Sequence, residues 1–220
     1  MTAAPITFKN REEAGKLLAK RLKNYTKKDV VVYALPRGGV VVAAEVARVL
    51  NVPLDILTAR KVGHPDFPEF AIAAVGQNGY VVKNKEVASS IGEDKFEKLV
   101  EDAQIEARRR HGLYLKGIRI PEGAGKIAIV VDDGLATGLT VRAALSDLKP
   151  HKPKKIVLAV PVAPDTAADI MADEVDDFVC LYLDPNFVSI STYYEEFSQI
   201  SDEIVIELLR AANKKKNINS

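Results

Sequence analysis

The sequence predicts an α/β fold, in which a mostly parallel sheet is covered by helices on both faces. Short apolar segments rich in Val, Ile and Ala alternate with amphipathic segments along most of the chain, which is typical of strands that alternate with helices. The strand-like segments are apolar at successive positions, as expected where both faces of a sheet are covered. Such an alternation joins neighbouring strands by right-handed crossovers and makes them parallel.

Size and composition limit the classes of protein that the chain can represent. Its 220 residues suit one α/β domain, predicted at residues 1–210. The 31 basic and 30 acidic residues nearly cancel, which excludes the basic surface typical of a nucleic-acid-binding domain. A single cysteine, Cys180, excludes an intrachain disulfide and fits a reducing cytoplasm. Because no apolar stretch is long enough to span a bilayer, we expect a cytoplasmic protein with neither a membrane nor a nucleic acid as partner.

The first part of the chain contains two predicted helix–strand units. A helix is expected over residues 10–24, where Asn10 can cap the first turn. A strand over 29–35, a helix over 42–50 and a strand over 54–58 follow, and Gly38-Gly39 interrupts the chain between the first strand and the second helix.

Residues 59–118 are expected to form a small hood or lid region. A polar, proline-containing stretch follows Ala59-Arg60-Lys61. A hairpin is then predicted from strands at 71–75 and 80–83, around a turn rich in glycine. Apolar residues recur at helical spacing from Phe96 to Ala107, which indicates a long amphipathic helix.

The second half of the chain continues the alternation. Strands are predicted at 126–133, 154–160 and 177–183, and helices at 139–148 and 165–174. We expect residues 184–199 to form a second hood segment, used in base recognition, and residues 211–220 to be a disordered tail.

Unusual chemistry follows the strand that begins near Lys126. Its apolar residues lead into two adjacent carboxylates, then a loop of small residues, then a helix. Glycines permit backbone angles that other residues resist, and the amides at a helix N-terminus attract anions. Carboxylates suit sugar hydroxyls or a metal-bound sugar, so the pattern predicts a sugar-phosphate site. Its candidate residues are Asp132, Asp133, Gly134, Leu135, Ala136, Thr137, Gly138, Leu139 and Thr140.

The string DDGLATGLT resembles the binding signature for phosphoribosyl pyrophosphate (PRPP) in type I phosphoribosyltransferases, in the version found in adenine phosphoribosyltransferases. The resemblance implies that Asp132 and Asp133 hold the ribose hydroxyls and that residues 134–140 wrap the 5′-phosphate. Hypoxanthine-type enzymes have an Asp at the position of Ala136, often assigned as the proton acceptor. Alanine cannot accept a proton, so a general base would have to come from elsewhere.

A second segment, Leu35-Pro36-Arg37-Gly38-Gly39, ends the first strand and resembles the pyrophosphate loop of the same family. That loop often contains a non-proline cis peptide, expected here between Pro36 and Arg37. Arg37 supplies a planar fork of donors for phosphate oxygens, and Gly38 and Gly39 let the backbone approach a ligand.

Two further segments resemble parts of the family. Arg60 and Lys61 open an Arg-Lys-x-Gly-x-x-Pro pattern similar to adenine phosphoribosyltransferases, in which the cationic pair contacts pyrophosphate and base. Phe187 and Val188 resemble the base-recognition step of hypoxanthine-type enzymes, although the lysine and the acidic residue that those enzymes use are absent. The residues that follow Pro65 resemble a branch of phosphoribosyltransferase-like proteins whose base is not established.

The resemblance implies an enzyme that transfers phosphoribose from PRPP to a nitrogenous base, purine rather than pyrimidine, and releases pyrophosphate in nucleotide salvage. Catalytic roles would fall to Arg37, Lys61, Asp132 and Asp133. Mg²⁺ would be the cofactor, held mainly by PRPP, with no direct protein ligand expected and the two aspartates reaching it at most through water. The partners would be PRPP and a nucleobase or related small amine, and a homodimer is the expected assembly.

Two alternatives stay open at this level. A regulator could keep the PRPP loop and lose turnover, which Ala136 and the missing base-reading lysine would allow. A flavodoxin-like signalling module could also place aspartates at strand ends, but it gives no reason for the glycine–threonine loop.

Overall fold

The central feature of the fold is a sheet of five parallel strands. A computed structural model of the chain describes residues 7–68, 70–84, 91–118 and 123–214. The strands in these residues are β1 (Val30–Ala34), β2 (Leu54–Ile56), β3 (Ala59–Gly63), β4 (Ala71–Gly76), β5 (Val81–Lys83), β6 (Ile127–Val131), β7 (Lys155–Pro164) and β8 (Asp177–Asp184). The helices are α1 (Arg11–Arg21), α2 (Gly38–Leu50), α3 (Glu93–Tyr114), α4 (Leu139–Leu148), α5 (Ala167–Met171) and α6 (Asp202–Lys214). The central sheet has the order β2-β1-β6-β7-β8, and every neighbouring pair is parallel.

Strand β1 shows why its sequence is apolar at every position. Val30, Val32 and Ala34 pack with α1, α2 and α6 on one face of the sheet. Val31 and Tyr33 pack with α4 on the opposite face. Both sets of side chains are buried, so alternation with polar residues would leave unpaired polar groups in a core. The predicted fold class, an α/β sheet covered on both faces, is confirmed.

A second sheet of three antiparallel strands, β3-β4-β5, lies within residues 59–118, the segment predicted as a hood or lid, and is called the hood below. One face packs on α4, where Ala74 contacts the cluster of Leu139 and Ala143. The other face packs on α3, where Val62 and Ile72 contact the cluster of Phe96. The hood is therefore a layer between two helices.

The hairpin turn of the hood is fastened to the rest of the chain by polar side chains. The Asn78 amide donates to Asp147 Oδ2 of α4 at 3.1 Å, and Arg108 Nε of α3 donates to the Gln77 carbonyl at 2.8 Å. Thr58 Oγ1 donates to Gln77 Oε1 at 2.6 Å. A β-carbon on Gly76 would collide with the Asp147 carboxylate. These contacts tie the hood to the helix that follows the predicted phosphate loop.

Two segments differ from the sequence-based expectation. Residues 59–63, for which no element was predicted, form strand β3, because Ala59 and Val62 pack on opposite faces of the hood while Arg60 and Lys61 stay nearer the surface. Helix α6, which was not predicted, continues to Lys214, so residues 211–214 are helical and not part of a disordered tail. Residues 215–220 lie outside the described part of the chain. No helix of the described residues is long and apolar enough to cross a membrane.

Asn213 explains why α6 extends so far. Its buried side chain accepts from the Leu54 amide at 3.3 Å and donates to the Leu54 carbonyl at 2.8 Å, in the way that a neighbouring strand would. Strand β2 is an edge strand of the central sheet, so these bonds satisfy backbone groups that no strand pairs.

Replacing Asn213 with Ala should lower the free energy of unfolding by about 1–3 kcal/mol, because it leaves buried backbone groups of Leu54 unpaired. Urea denaturation followed by circular dichroism measures the change. Lys214→Ala, at an exposed neighbouring position, is the control and should change stability by less than about 0.5 kcal/mol. Equal stabilities of the two variants would contradict the proposed role of Asn213.

Candidate functional site

The two loops singled out in the sequence meet at one edge of the central sheet. Strands β1 and β6 are parallel neighbours, with Ala34 in register with Val131, so the loops that follow them leave from the same edge. A β-carbon on Gly38 would collide with the Asp133 carboxylate, and one on Gly39 would lie 2.7 Å from Asp132 Oδ1. The close approach of the loops therefore requires glycine at both positions.

The loop after β1 has the expected backbone. The Pro36–Arg37 peptide is cis, as the resemblance to a pyrophosphate loop predicted. Arg37 precedes α2, and its Nη1 lies 3.8 Å from Asp202 Oδ1 at the start of α6. Tyr114 of α3 donates its hydroxyl to the same carboxylate oxygen at 2.7 Å. Burial, followed by that hydrogen bond, raises the pKa of Tyr114 to about 12, so its hydroxyl is a donor at neutral pH. Arg37 is thus held loosely and remains partly exposed.

The loop after β6 presents backbone at the start of α4. Leu135 is buried and anchors the loop, with its amide donating to the Val162 carbonyl at 2.9 Å. Ala136 and Thr137 are exposed beyond it. Gly138 has a φ of 73° and offers no side chain to cap α4. The amides of the first turn of α4 are therefore suited to bind an anion, aided by the helix dipole.

The two aspartates have different environments. Asp132 is partly exposed, and its Oδ1 accepts from the Asp133 amide at 2.8 Å. Desolvation of its carboxylate, followed by repulsion from Asp133, raises the pKa of Asp132 well above the ordinary value. Asp133 is buried, and its Oδ2 accepts from Arg11 Nε at 2.7 Å. Asp133 is thus engaged by a buried guanidinium and Asp132 is not, and the assignment of both carboxylates to the ribose hydroxyls stays a prediction.

Arg11 is the main site residue that the sequence reasoning missed. It lies in the first turn of α1, and a basic residue there opposes the helix dipole. That unfavourable position was the available signal that Arg11 has a partner elsewhere, although nothing local identifies the partner as Asp133.

Cationic side chains gather beside the site. Arg60 lies on β3, and its pKa is lowered first by burial and then by the charge of Arg110, with a smaller effect from Arg37. Arg110 belongs to α3 and donates to Glu106 Oε1 at 2.8 Å. Arg108 of the same helix binds the hood turn, and Arg110 approaches Arg60. Lys61 is exposed on the same strand, and with Arg60 and His64 it lines a cavity of about 420 Å³.

The predicted base-recognition residues lie in the segment after β8. Phe187 stacks on Tyr193 with ring centroids 5.6 Å apart and planes at 15°. Val188 projects into solvent and is 82 % exposed. Tyr193 donates to Asp184 Oδ2 at 2.6 Å, and Tyr194 donates to the Asp133 carbonyl at 2.6 Å. Tyr193 and Tyr194 thus fasten this segment to the main sheet.

Gly38→Ala should lower the free energy of unfolding by about 1–3 kcal/mol, because the new methyl group overlaps the buried Asp133 carboxylate. Thermal or urea unfolding measures the loss. Gly112→Ala is the matched control, since Gly112 is exposed within α3 and an added β-carbon would meet no atom within 4 Å. It should stabilise the protein by about 0.5–1 kcal/mol. Equal effects of the two substitutions would show that the loops are not in close contact.

Comparison with known proteins agrees with this geometry. A family described as the phosphoribosyl transferase domain matches residues 8–197. Proteins of two Mycobacterium tuberculosis strains, CDC 1551 and H37Rv, carry a provisional phosphoribosyl transferase name and are each 41 % identical over 210 residues. The match covers 94 % of this chain and 47 % of each relative, so the chain spans about half the length of these curated relatives.

Solved structures share the fold of this chain. The crystal structure of the protein TT1426 from Thermus thermophilus is 36 % identical, with a TM-score of 0.76, and the match covers 93 % of this chain and 98 % of that one. The AQ2163 protein from Aquifex aeolicus is 16 % identical, with a TM-score of 0.50 over 79 % of this chain and 74 % of that one, and it shares the fold. With β1, β6 and their loops arranged as described, the chain belongs to the phosphoribosyl transferase domain family.

Proposed function

We propose that this protein transfers phosphoribose from PRPP to a nitrogen of a base and releases pyrophosphate, with Mg²⁺ as cofactor. The observation that carries the proposal is the contact between the Gly38-Gly39 backbone and the Asp132-Asp133 pair at one edge of the sheet. It puts groups suited to a sugar, a phosphate and a diphosphate within one site.

The ribose 5-phosphate part of PRPP fits the loop after β6. The amides at the start of α4 and the exposed Thr137 hydroxyl supply donors for a phosphate dianion. Thr140, half-buried one residue into the helix, is the second hydroxyl of this group. Asp132, at the strand end just before the loop, is the carboxylate for the ribose hydroxyls.

The diphosphate fits the cationic side of the site. Arg37 has only a partly exposed, 3.8 Å contact with Asp202, so a diphosphate can replace that partner at small cost. Arg60 and Lys61 of β3 add charge, and Arg110 stands next to Arg60. Fixed positive charge stabilises the negative charge that develops on departing pyrophosphate.

The residues present fit Mg²⁺ that arrives with its substrate. In the described residues no group of three or more His, Cys, Asp or Glu side chains could hold a metal ion. Mg²⁺ commonly keeps several waters and binds substrate phosphates with one or two carboxylates, and Asp132 is the carboxylate available here. When bound, the ion would neutralise charge on the diphosphate.

A purine is the acceptor that we propose, on the resemblance of DDGLATGLT to the adenine enzymes and of Phe187 to a base-stacking ring. Phe187 stacks on Tyr193 and is half-buried, so part of its side chain is accessible to a ligand. Ala136 has no acidic group, so the proton acceptor lies elsewhere or is the base itself. The homodimer and the cytoplasmic location stay predictions.

A PRPP-binding regulator is the second candidate. The observation that favours it is the pairing of Asp133 with Arg11, which removes one of the two carboxylates from direct contact with the sugar. Binding of PRPP without turnover against any base would support this candidate.

Incubation with PRPP, Mg²⁺ and a panel of purines, pyrimidines and small amines, followed by assay of pyrophosphate release, tests the transferase proposal. Release that depends on one class of acceptor supports the enzyme and identifies the acceptor. Tight PRPP binding by calorimetry with no release from any acceptor would favour the regulator, and absence of PRPP binding would exclude both functions.

Asp132→Asn should lower kcat/KM for PRPP roughly tenfold to 100-fold, as expected when a hydrogen bond to a charged group is weakened. Steady-state kinetics with the acceptor from the panel measures the change. Asp165→Asn is the matched control, because Asp165 is an exposed aspartate just past the end of the neighbouring strand β7. If both variants keep wild-type kinetics, Asp132 does not contact the sugar.

Arg37→Ala should weaken the binding of pyrophosphate roughly tenfold and that of ribose 5-phosphate much less, because a guanidinium bond to phosphate contributes about 1.5–3 kcal/mol. Calorimetric titration with each ligand separates the two effects. Equal losses for the two ligands would mean that Arg37 has a structural role only.

A further inference from the structure

Arg11 makes contacts that reach three parts of the molecule. Its Nε donates to Asp133 Oδ2 at 2.7 Å, after the end of β6. Its Nη1 donates to the Ser198 carbonyl at 2.9 Å, and its guanidinium carbon lies 3.7 Å from the centre of the Phe197 ring. The side chain is 9 % exposed. Burying an arginine in the first turn of a helix is unfavourable unless a partner compensates its charge. Here the Asp133 carboxylate and the Phe197 ring face the guanidinium directly.

We propose that Arg11 is a positioning residue. It keeps Asp133 in a structural ion pair, so that Asp132 is the carboxylate that binds the ribose. It also holds residues 193–198, which follow β8, against the phosphoribosyl site. The inference rests on the proposed function and deepens it, because it divides the roles of two adjacent acids that the family motif treats alike.

The surroundings of Asp133 argue for this division. Its Oδ2 lies between Arg11 and the Gly38 backbone, where no β-carbon would fit. Its carbonyl accepts from the Tyr194 hydroxyl, so both its side chain and its backbone are engaged by protein. Asp132 is more exposed, and its described hydrogen bond is to the neighbouring amide. A sugar hydroxyl can therefore approach Asp132 without breaking a buried ion pair.

Further contacts connect the chain just before α1 to residues 193–198. The Phe8 amide donates to the Tyr193 carbonyl at 2.8 Å, and the Glu195 amide donates to the Phe8 carbonyl at 2.9 Å. Phe8, Tyr194 and Phe197 form a row of ring contacts, with centroids 5.4 and 5.1 Å apart. Arg11 stacks on the end of this row. Loss of its charge would free the Asp133 carboxylate and loosen segment 193–198 together.

A double-mutant cycle on Arg11 and Asp133 tests the inference, with PRPP affinity measured by calorimetry. Arg11→Met and Asp133→Asn each leave one buried charge without a partner, so each should weaken PRPP binding at least tenfold. The combined variant has no uncompensated charge, so it should bind PRPP at least threefold more tightly than either single variant. Arg21→Met, an exposed arginine on the same helix, is the matched control and should keep wild-type affinity within twofold.

Two further readouts separate positioning from general destabilisation. Arg11→Met should raise KM for PRPP and change kcat less than threefold, because Arg11 does not touch the reacting atoms. Arg11→Lys keeps the charge but not the planar stack on Phe197, so it should restore PRPP affinity to within about threefold of wild type while the melting temperature stays lowered. If Arg11→Met does not fold, the charge-balanced double variant and Arg11→Lys still decide the question.

The inference is overturned if Arg11→Met binds PRPP as the control does. It is also overturned if the double variant fails to bind PRPP at least threefold more tightly than both single variants, since Asp133 would then act as a ligand itself. Failure of the wild-type protein to bind PRPP would remove the proposed function first and this inference with it. If the wild-type protein binds PRPP but the double variant does not bind it more tightly than the single variants, the inference fails and the proposed function stands.

Discussion

The close approach of two loops at the carboxyl edge of the sheet is the constraint on which the rest of the site depends. Strands β1 and β6 run side by side, and the backbone at Gly38 and Gly39 lies against the side chains of Asp133 and Asp132. A larger residue at either glycine would separate the loops. The groups suited to a sugar and to a diphosphate would then no longer share one site.

Charge is distributed unevenly around this contact. Carboxylates stand on the side proposed for the sugar, where Arg11 balances Asp133 within the protein. Guanidinium groups stand on the side proposed for the diphosphate, where Arg60 and Arg110 lie close to each other. A cationic region next to two acids suits a ligand with hydroxyls at one part and a polyanion at another, which describes PRPP.

The hood is joined to the site through helix α4. The first turn of α4 follows the proposed phosphate loop, one of its faces packs on the hood sheet, and its Asp147 holds the hairpin turn. Helix α3 covers the opposite face of the hood and ends at Tyr114, which binds the same carboxylate as Arg37. The loops proposed for the diphosphate and for the phosphate therefore share two helices with the hood.

The sequence by itself determined most of the helices and strands in their order, the two loops and the cis peptide position, because each depends on periodicity or on a short motif. Only the tertiary structure decided the different environments of Asp132 and Asp133, since the partner Arg11 lies 122 residues away in the chain. The hood strand β3 and the helix α6 were likewise missed. The charged residues Arg60 and Lys61 hide the apolar pattern of β3, which is buried only because α3 and α4 pack on it. Asn213 of α6 bonds to a strand 159 residues earlier in the chain. Local pattern carries no information on such long-range partners.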